Sequence, residues 1–168
     1  MTFDDKRNII EEYMRLAIDE AQVAKENGEN PFGAVLLDAN YRFCHKAHSK
    51  SVELSDPTAH AEISVIREYC QKHKTVYLKD YVLICSSEPC IMCSGAIKWS
   101  KIGSIYYSVP QKDLNRISGG KQKPSCDSLI NSGDSQKRII GNVLLNDGFK
   151  VFSNFQFIPQ DILSRKRT

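Results

Sequence analysis

The sequence predicts an α/β fold, a sheet covered by helices on both of its faces. Three observations lead there. Apolar residues recur three and four positions apart from Arg7 to Asn27 and again beyond Asp56, as they do on amphipathic helices. Short apolar runs at Phe32–Leu37, Tyr81–Cys85 and Ile102–Tyr107 have the length of strands. Their order along the chain is helix, two strands, helix, strand, helix, strand, and such alternation builds a sheet with helices on each side. With 168 residues the chain has the size of one ordinary domain and buries a core without needing a disulfide or a structural metal. A single domain over residues 1–168 is expected, with a C-terminal tail from about 156.

Each element has its own signal. In the first helix Ile9, Ile10, Tyr13, Leu16, Ala17, Ala21 and Ala24 form the apolar stripe, and Gly28 is the stop. Phe32 to Leu37, the turn residues Asp38-Ala39-Asn40 and a second run from Tyr41 read as a hairpin. Asp56-Pro57 is expected to open the second helix, with Asp as N-cap and Pro at the first helical position. Its buried stripe is Ile63, Ile66, Tyr69 and Cys70. After the strand at Tyr81–Cys85, Pro89 begins a helix that runs to about Trp99, and Ile102–Tyr107 is the next strand. Beyond Val109 the pattern weakens. Ser118 to Asp134, rich in Gly, Ser, Asn and Lys, reads as a loop, and Leu144 to Phe155 reads as a last helix despite Gly148.

Composition bounds the function. The net charge of +3 is mild and does not single out nucleic acid as a partner. Two stretches are more basic than the mean, QKDLNRISGGKQK from Gln111 to Lys123 and the terminal SRKRT, and both read first as solvated surface. No apolar stretch approaches the roughly 20 residues of a spanning helix, so no membrane segment is expected. The six cysteines have no framework spacing and the N-terminus lacks the pattern of a signal peptide, so reduced thiols and a cytoplasmic setting are expected.

The stretch SSEPCIMC, Ser86 to Cys93, places two thiols at i and i+3, facing the same way from the start of a helix. Two thiols alone serve either a redox couple or half of a metal centre. The second helix supplies a counterpart: DPTAHAE puts His60 and Glu62 near its start. An imidazole and two thiolates make a three-ligand zinc site with an open fourth position, the mark of a catalytic rather than a structural zinc. Helix N-termini favour thiolate over thiol, and a metal with an open position activates a water near neutral pH. Glu62, beside the metal but not bound to it, is then a proton shuttle.

His-x-Glu followed by Pro-Cys-x-x-Cys is the pattern of zinc nucleobase deaminases. Through PFGAV, DPTAHAE and EPCIMCSGAI, over roughly Arg7 to Tyr107, the chain resembles the cytidine deaminase superfamily. Within it the likeness is to the purine-side branch of guanine deaminases, nucleoside deaminases and tRNA adenosine deaminases. The resemblance implies a three-layer α/β/α sandwich with a mixed five-stranded sheet, a homodimer, and hydrolytic release of ammonia from a ring amine. It implies that His60, Cys90 and Cys93 bind Zn2+, that Glu62 shuttles the proton, and that the amide of Ala61 lies near the reacting carbon. Glu88 is expected to support the zinc loop.

The branch points are weaker. Pro31-Phe32-Gly33-Ala34, Ser86-Ser87 before Glu88, and Trp99 resemble the guanine and nucleoside deaminases, so a small purine base or nucleoside, guanine first, is the expected substrate. The alternative is adenosine in tRNA, with Lys112, Arg116, Lys121, Lys123 and Arg165 to Arg167 holding phosphates. Phe32 and Trp99 read equally well as core aromatics. The family commonly has a base-recognising Asn eleven residues before the zinc His, where this chain has Ser49; otherwise His48 takes that role through a shifted register. Asn30 is a second polar candidate at the pocket mouth, or a turn residue before Pro31. Phe152, Phe155 and Phe157 are expected to close the core rather than cover a site.

Overall fold

The computed structural model describes residues 2–120, 123–132 and 136–157. Five strands form one sheet in the order β2-β1-β3-β4-β5: β1 (Gly33–Leu37), β2 (Phe43–His48), β3 (Val82–Ser87), β4 (Ser104–Val109) and β5 (Arg138–Ile140). β1 runs antiparallel to both β2 and β3, whereas β3, β4 and β5 are parallel, so the sheet is mixed. Pleating sends alternate residues of β1 to opposite sides. Ala34 and Leu36 join the cluster built with α2 (Ala61–His73), α3 (Ile91–Trp99) and α5 (Cys126–Ile130). Val35 and Leu37 join the cluster built with α1 (Phe3–Glu26) and α6 (Leu145–Val151). The expected helix-covered sheet is present. No helix among the described residues is long and apolar enough to cross a membrane.

Several expected boundaries move, each for a local reason. The first helix begins at Phe3 rather than Arg7, because Thr2 and Asp5 close a capping box: Asp5 N–H donates to Thr2 Oγ1 at 3.1 Å and Thr2 N–H to Asp5 Oδ2 at 2.8 Å. The second strand begins at Phe43, since Tyr41 sits in the left-handed region at φ 62°. The second helix does not start at Asp56-Pro57. Asp56 Oδ1 instead accepts from Thr58 N–H at 2.8 Å and Thr58 Oγ1 at 2.7 Å, which closes a local Asx turn, and the helix begins at Ala61. Likewise α3 begins at Ile91, two residues after Pro89. The strands at Tyr81 and Ile102 lie one to two residues later than expected. The region after Val109 holds more order than its composition suggests, with α4 (Gln111–Ser118) ahead of the expected loop, α5 interrupting it and β5 adding the fifth strand. The last helix ends at Val151.

The contact between α1 and the sheet is close at one point. A Cβ at Gly33 would run into the carbonyl of Ala17 and come within 2.6 Å of the Ala21 nitrogen, both helix backbone atoms that have no rotamer to yield. Gly33→Ala should therefore destabilise by at least the ~1–3 kcal/mol of core overpacking. A denaturant midpoint unchanged from the native protein would show that α1 can lift away without loss.

Candidate active site

His60 and Cys90 are the N-cap residues of α2 and α3. Both have extended backbones, His60 at φ −73°, ψ 155° and Cys90 at φ −71°, ψ 176°, and neither side chain bonds its own helix amides. N-cap side chains ordinarily accept from those amides. Here they turn instead toward each other, and Cys93, one turn into α3, completes the group. His60 Nδ1 lies 3.6 Å from Cys90 Sγ and 3.6 Å from Cys93 Sγ, and the two sulfurs are 3.6 Å apart.

That triangle fits zinc. Bond lengths of about 2.3 Å to sulfur and 2.0–2.1 Å to nitrogen, at tetrahedral angles, place neighbouring donors roughly 3.5–3.8 Å apart. The imidazole sits equally far from both thiols, which an isolated thiol couple would not require. Among the described residues these three are the only cluster of His, Cys, Asp or Glu side chains with that spacing.

Of the three donors, Cys90 alone is already held near its ligand state. A hydrogen bond between the two thiols brings that of Cys90 down to about 4 and pushes that of Cys93 well above its ordinary range. The bond to Cys90 raises His60. Glu62, in the first turn of α2, is 6% exposed. Burial raises its carboxyl above the ordinary value, and the neighbouring Cys90 charge adds to the shift. Ala61, between His60 and Glu62, is fully buried.

A pocket of about 190 Å³ opens beside this group. His60, Cys90 and Glu62 line it, together with four of the residues expected at a substrate site: Asn30, Phe32, Ser49 and Glu88. Ser49 rather than His48 faces the pocket. The His48 ring points to α1, where its Nδ1 meets Glu20 Oε2 at 2.9 Å, so the loop register has not slipped. Ser49 N–H donates to Phe32 O at 3.0 Å, joining two walls, and Glu29, 2% exposed, accepts from the amides of Val52 and Glu53 behind them. Trp99 is neither core nor pocket; it is 84% exposed at the far end of α3.

Glu88, expected to support the zinc loop, bonds through its carboxylate to two other helices. It is buried, and its Oε2 accepts from Gln111 N–H and its Oε1 from Cys126 N–H, each at 2.8 Å. One carboxylate thus anchors the first residues of both α4 and α5 to the segment that carries Cys90. The residues of α4 that line the pocket, Gln111, Leu114, Asn115 and Ser118, are absent from the sequence expectation, as is Phe157 as a lining residue. Their signal was available as a helical spacing at 111, 114, 115 and 118, but it lies inside a stretch read for its charge. Of the expected phosphate contacts, Lys112 and Arg116 are exposed on α4 and Lys123 reaches the pocket rim, while Lys121 and Arg165 to Arg167 lie outside the described residues. A larger groove of about 850 Å³, between α1 and α6, shares no lining residue with this pocket.

Comparison with known proteins gives four points. The family model of the cytidine and deoxycytidylate deaminase zinc-binding region matches residues 7–109. A tRNA-specific adenosine deaminase of Aquifex aeolicus is 41% identical over 102 residues, 61% of this chain and 67% of that protein. A structure from a study of A-to-I editing by tRNA:A34 deaminases at the wobble position superposes with a TM-score of 0.72 at 28% identity, covering 83% of this chain and 98% of that one. A guanine deaminase of Nitrosomonas europaea shares the fold, with a TM-score of 0.74 at 19% identity over 85% and 82% of the two chains.

Glu88→Gln puts an amide NH2 against one of two backbone N–H groups, leaving a buried donor unmatched. The expected loss is about 1–3 kcal/mol in urea unfolding. Faster hydrogen exchange at Gln111 and Cys126 should accompany it. Unchanged protection at both amides would show that α4 and α5 are held by packing alone.

Proposed function

The chain belongs to the cytidine and deoxycytidylate deaminase zinc-binding family, a family of hydrolytic deaminases, and from that premise we propose that its substrate is an adenosine of tRNA. The observation that carries this reading is the 41% identity, through the zinc-binding region, to a tRNA-specific adenosine deaminase. Two features of the site support it. The pocket is small, and an enzyme acting on a base within a nucleic acid takes that base alone into its pocket. Lys123 stands at the rim and Lys112 and Arg116 lie on the exposed side of α4, where a backbone phosphate would pass. The guanine-like substrate expected from Pro31-Phe32-Gly33-Ala34 has support from likeness of fold alone, at 19% identity.

His60, Cys90 and Cys93 would hold the metal, and bound zinc supplies an activated water as the nucleophile. Glu62 takes a proton from the attacking water and delivers it to the ring nitrogen next to the reacting carbon. It then carries the second proton to the amino group, which leaves as ammonia as the ring carbonyl forms. Burial suits the residue to this cycle, because a raised carboxyl holds its proton long enough to give it to a weakly basic ring nitrogen. Glu88 and Cys93 act at a distance from the base, fixing the loop and the metal.

Incubation with tRNA, adenosine and guanine decides the substrate. Inosine should appear in tRNA, and binding should weaken steeply between low and moderate salt as condensed counterions are released. Xanthine from free guanine, with tRNA untouched, would overturn the reading.

Glu62→Gln should keep about one zinc per chain by elemental analysis and lose at least ~10²- to 10⁴-fold in turnover, the worth of one general acid–base step. Ammonia release at a near-native rate would mean that the proton moves by another route.

A further inference from the structure

Two amide atoms at the pocket are buried without a hydrogen-bond partner: Asn115 Nδ2 and Asn30 Oδ1. Asn115 is 7% exposed, and both residues line the cavity that holds His60 and Glu62. Buried amide groups are nearly always bonded, and an exception inside a binding cavity marks the place where a ligand completes the set. Asn115 is not free to turn away. Gln111, one helical turn earlier, donates from Nε2 to Asn115 Oδ1 at 3.0 Å, which leaves the Asn115 NH2 as the unsatisfied side. Gln111 is fixed in turn by its own N–H on Glu88 Oε2, and Glu88 precedes Pro89-Cys90 directly. A continuous line of bonds and backbone therefore runs from the metal-ligating Cys90 to one N–H donor in the pocket.

We propose that Asn115, oriented by Gln111, is a specificity-determining contact for the base, donating from Nδ2 to a purine ring nitrogen other than the one next to the reacting carbon. This rests on the deaminase reading above and names the group that selects the base. Of the two buried polar atoms left unpartnered among the described residues, Asn30 Oδ1 is an acceptor and Asn115 Nδ2 the donor. A purine nucleoside offers N3, across the ring from the reacting carbon, and N7, beside the amino group, as acceptors, and the exocyclic amine of adenosine is its only base N–H, available to an acceptor such as Asn30 Oδ1. Leaving Asn115 Nδ2 unmatched when a base without that ring acceptor enters would reject that base, as sites built around a hydrogen bond do. Gln111 acts through Asn115 and is a positioning residue.

The test uses the zinc-loaded Glu62→Gln protein, which binds without turning over, and short single-stranded RNAs carrying one adenosine, one 3-deazaadenosine or one 7-deazaadenosine. Affinity is read by fluorescence anisotropy at fixed salt. One of the two deaza substitutions should weaken binding about 10- to 100-fold, since it leaves the buried donor unmatched. In the Asn115→Asp background the same substitution should make no further difference. Gln111→Glu should behave like Asn115→Asp, because a carboxylate at 111 would accept from Asn115 Nδ2 and turn Oδ1 into the pocket. If Asn115→Asp does not fold, as judged by zinc content and thermal melting, Asn115→Ser takes its place, and the deaza comparison on the native side chain stands regardless. Equal affinity of all three RNAs for the unaltered pocket overturns the proposal, as does an undiminished deaza penalty in the Asn115 variants. A protein that binds guanine but none of the RNAs overturns the tRNA reading together with this contact, which separates that failure from a failure of Asn115 alone.

Discussion

The site depends on one buried carboxylate. Glu88 sits at the end of β3 and immediately before the zinc loop, and each of its oxygens receives a backbone amide from a different helix. A carboxylate in such a place would be costly to bury alone, and two N–H bonds to its charged form offset that cost. The exchange has a structural consequence. Because β3 and β4 are parallel, the chain leaves β4 beside the end of β3, and α4 starts there with its amide aimed at Glu88. The helix that walls the pocket is thereby indexed to the strand that delivers the thiols.

A second constraint is the use of N-cap positions for ligands. Ser, Thr, Asp or Asn at an N-cap normally satisfies helix amides with its own side chain. His60 and Cys90 do not, so α2 and α3 begin without that stabilisation. In return the donors stand at the positive ends of two helices, with their backbones held extended and their side chains directed across the gap between α2 and α3. Asp56 and Thr58, the residues with capping chemistry just upstream, are engaged with each other instead. The sequence thus separates the two tasks: a short turn ordered by Asp56, then a ligand at the cap.

The same separation explains what could be read in advance. The clustering of His60, Cys90 and Cys93 was legible because spacing alone brings i and i+3 thiols together, and because an imidazole is the natural complement to two thiolates. The sheet and its two helical faces were legible because short apolar runs such as Phe32–Leu37 alternate along the chain with amphipathic stretches, and because α1 repeats its stripe over many turns. Helix starts were misplaced where capping chemistry served a turn instead, as at Asp56. The region after Val109 was legible least. α4 shows Lys112 and Arg116 to solvent while Gln111, Leu114 and Asn115 face inward, so two of its three buried residues are polar and it carries no apolar stripe. A helix that lines a polar pocket looks like surface in sequence, because its inner side is chosen for hydrogen bonding.

The remaining wall is apolar and shows that core and site need not be alternatives. Phe152 is 4% exposed and packs with Val109 and Leu114. Phe32 lies 6.0 Å from its ring and Phe157 5.9 Å, and Phe32 and Phe157 are 6.2 Å apart. Phe32 and Phe157 also line the pocket, so two rings of this cluster have one side toward the core and one toward the substrate. An aromatic ring held in this way offers a flat, rigid surface with two torsions already fixed, against which a base can stack without ordering the side chain first. The polar groups opposite can then be few, because the apolar wall confines the ring plane and leaves them only its edges to read.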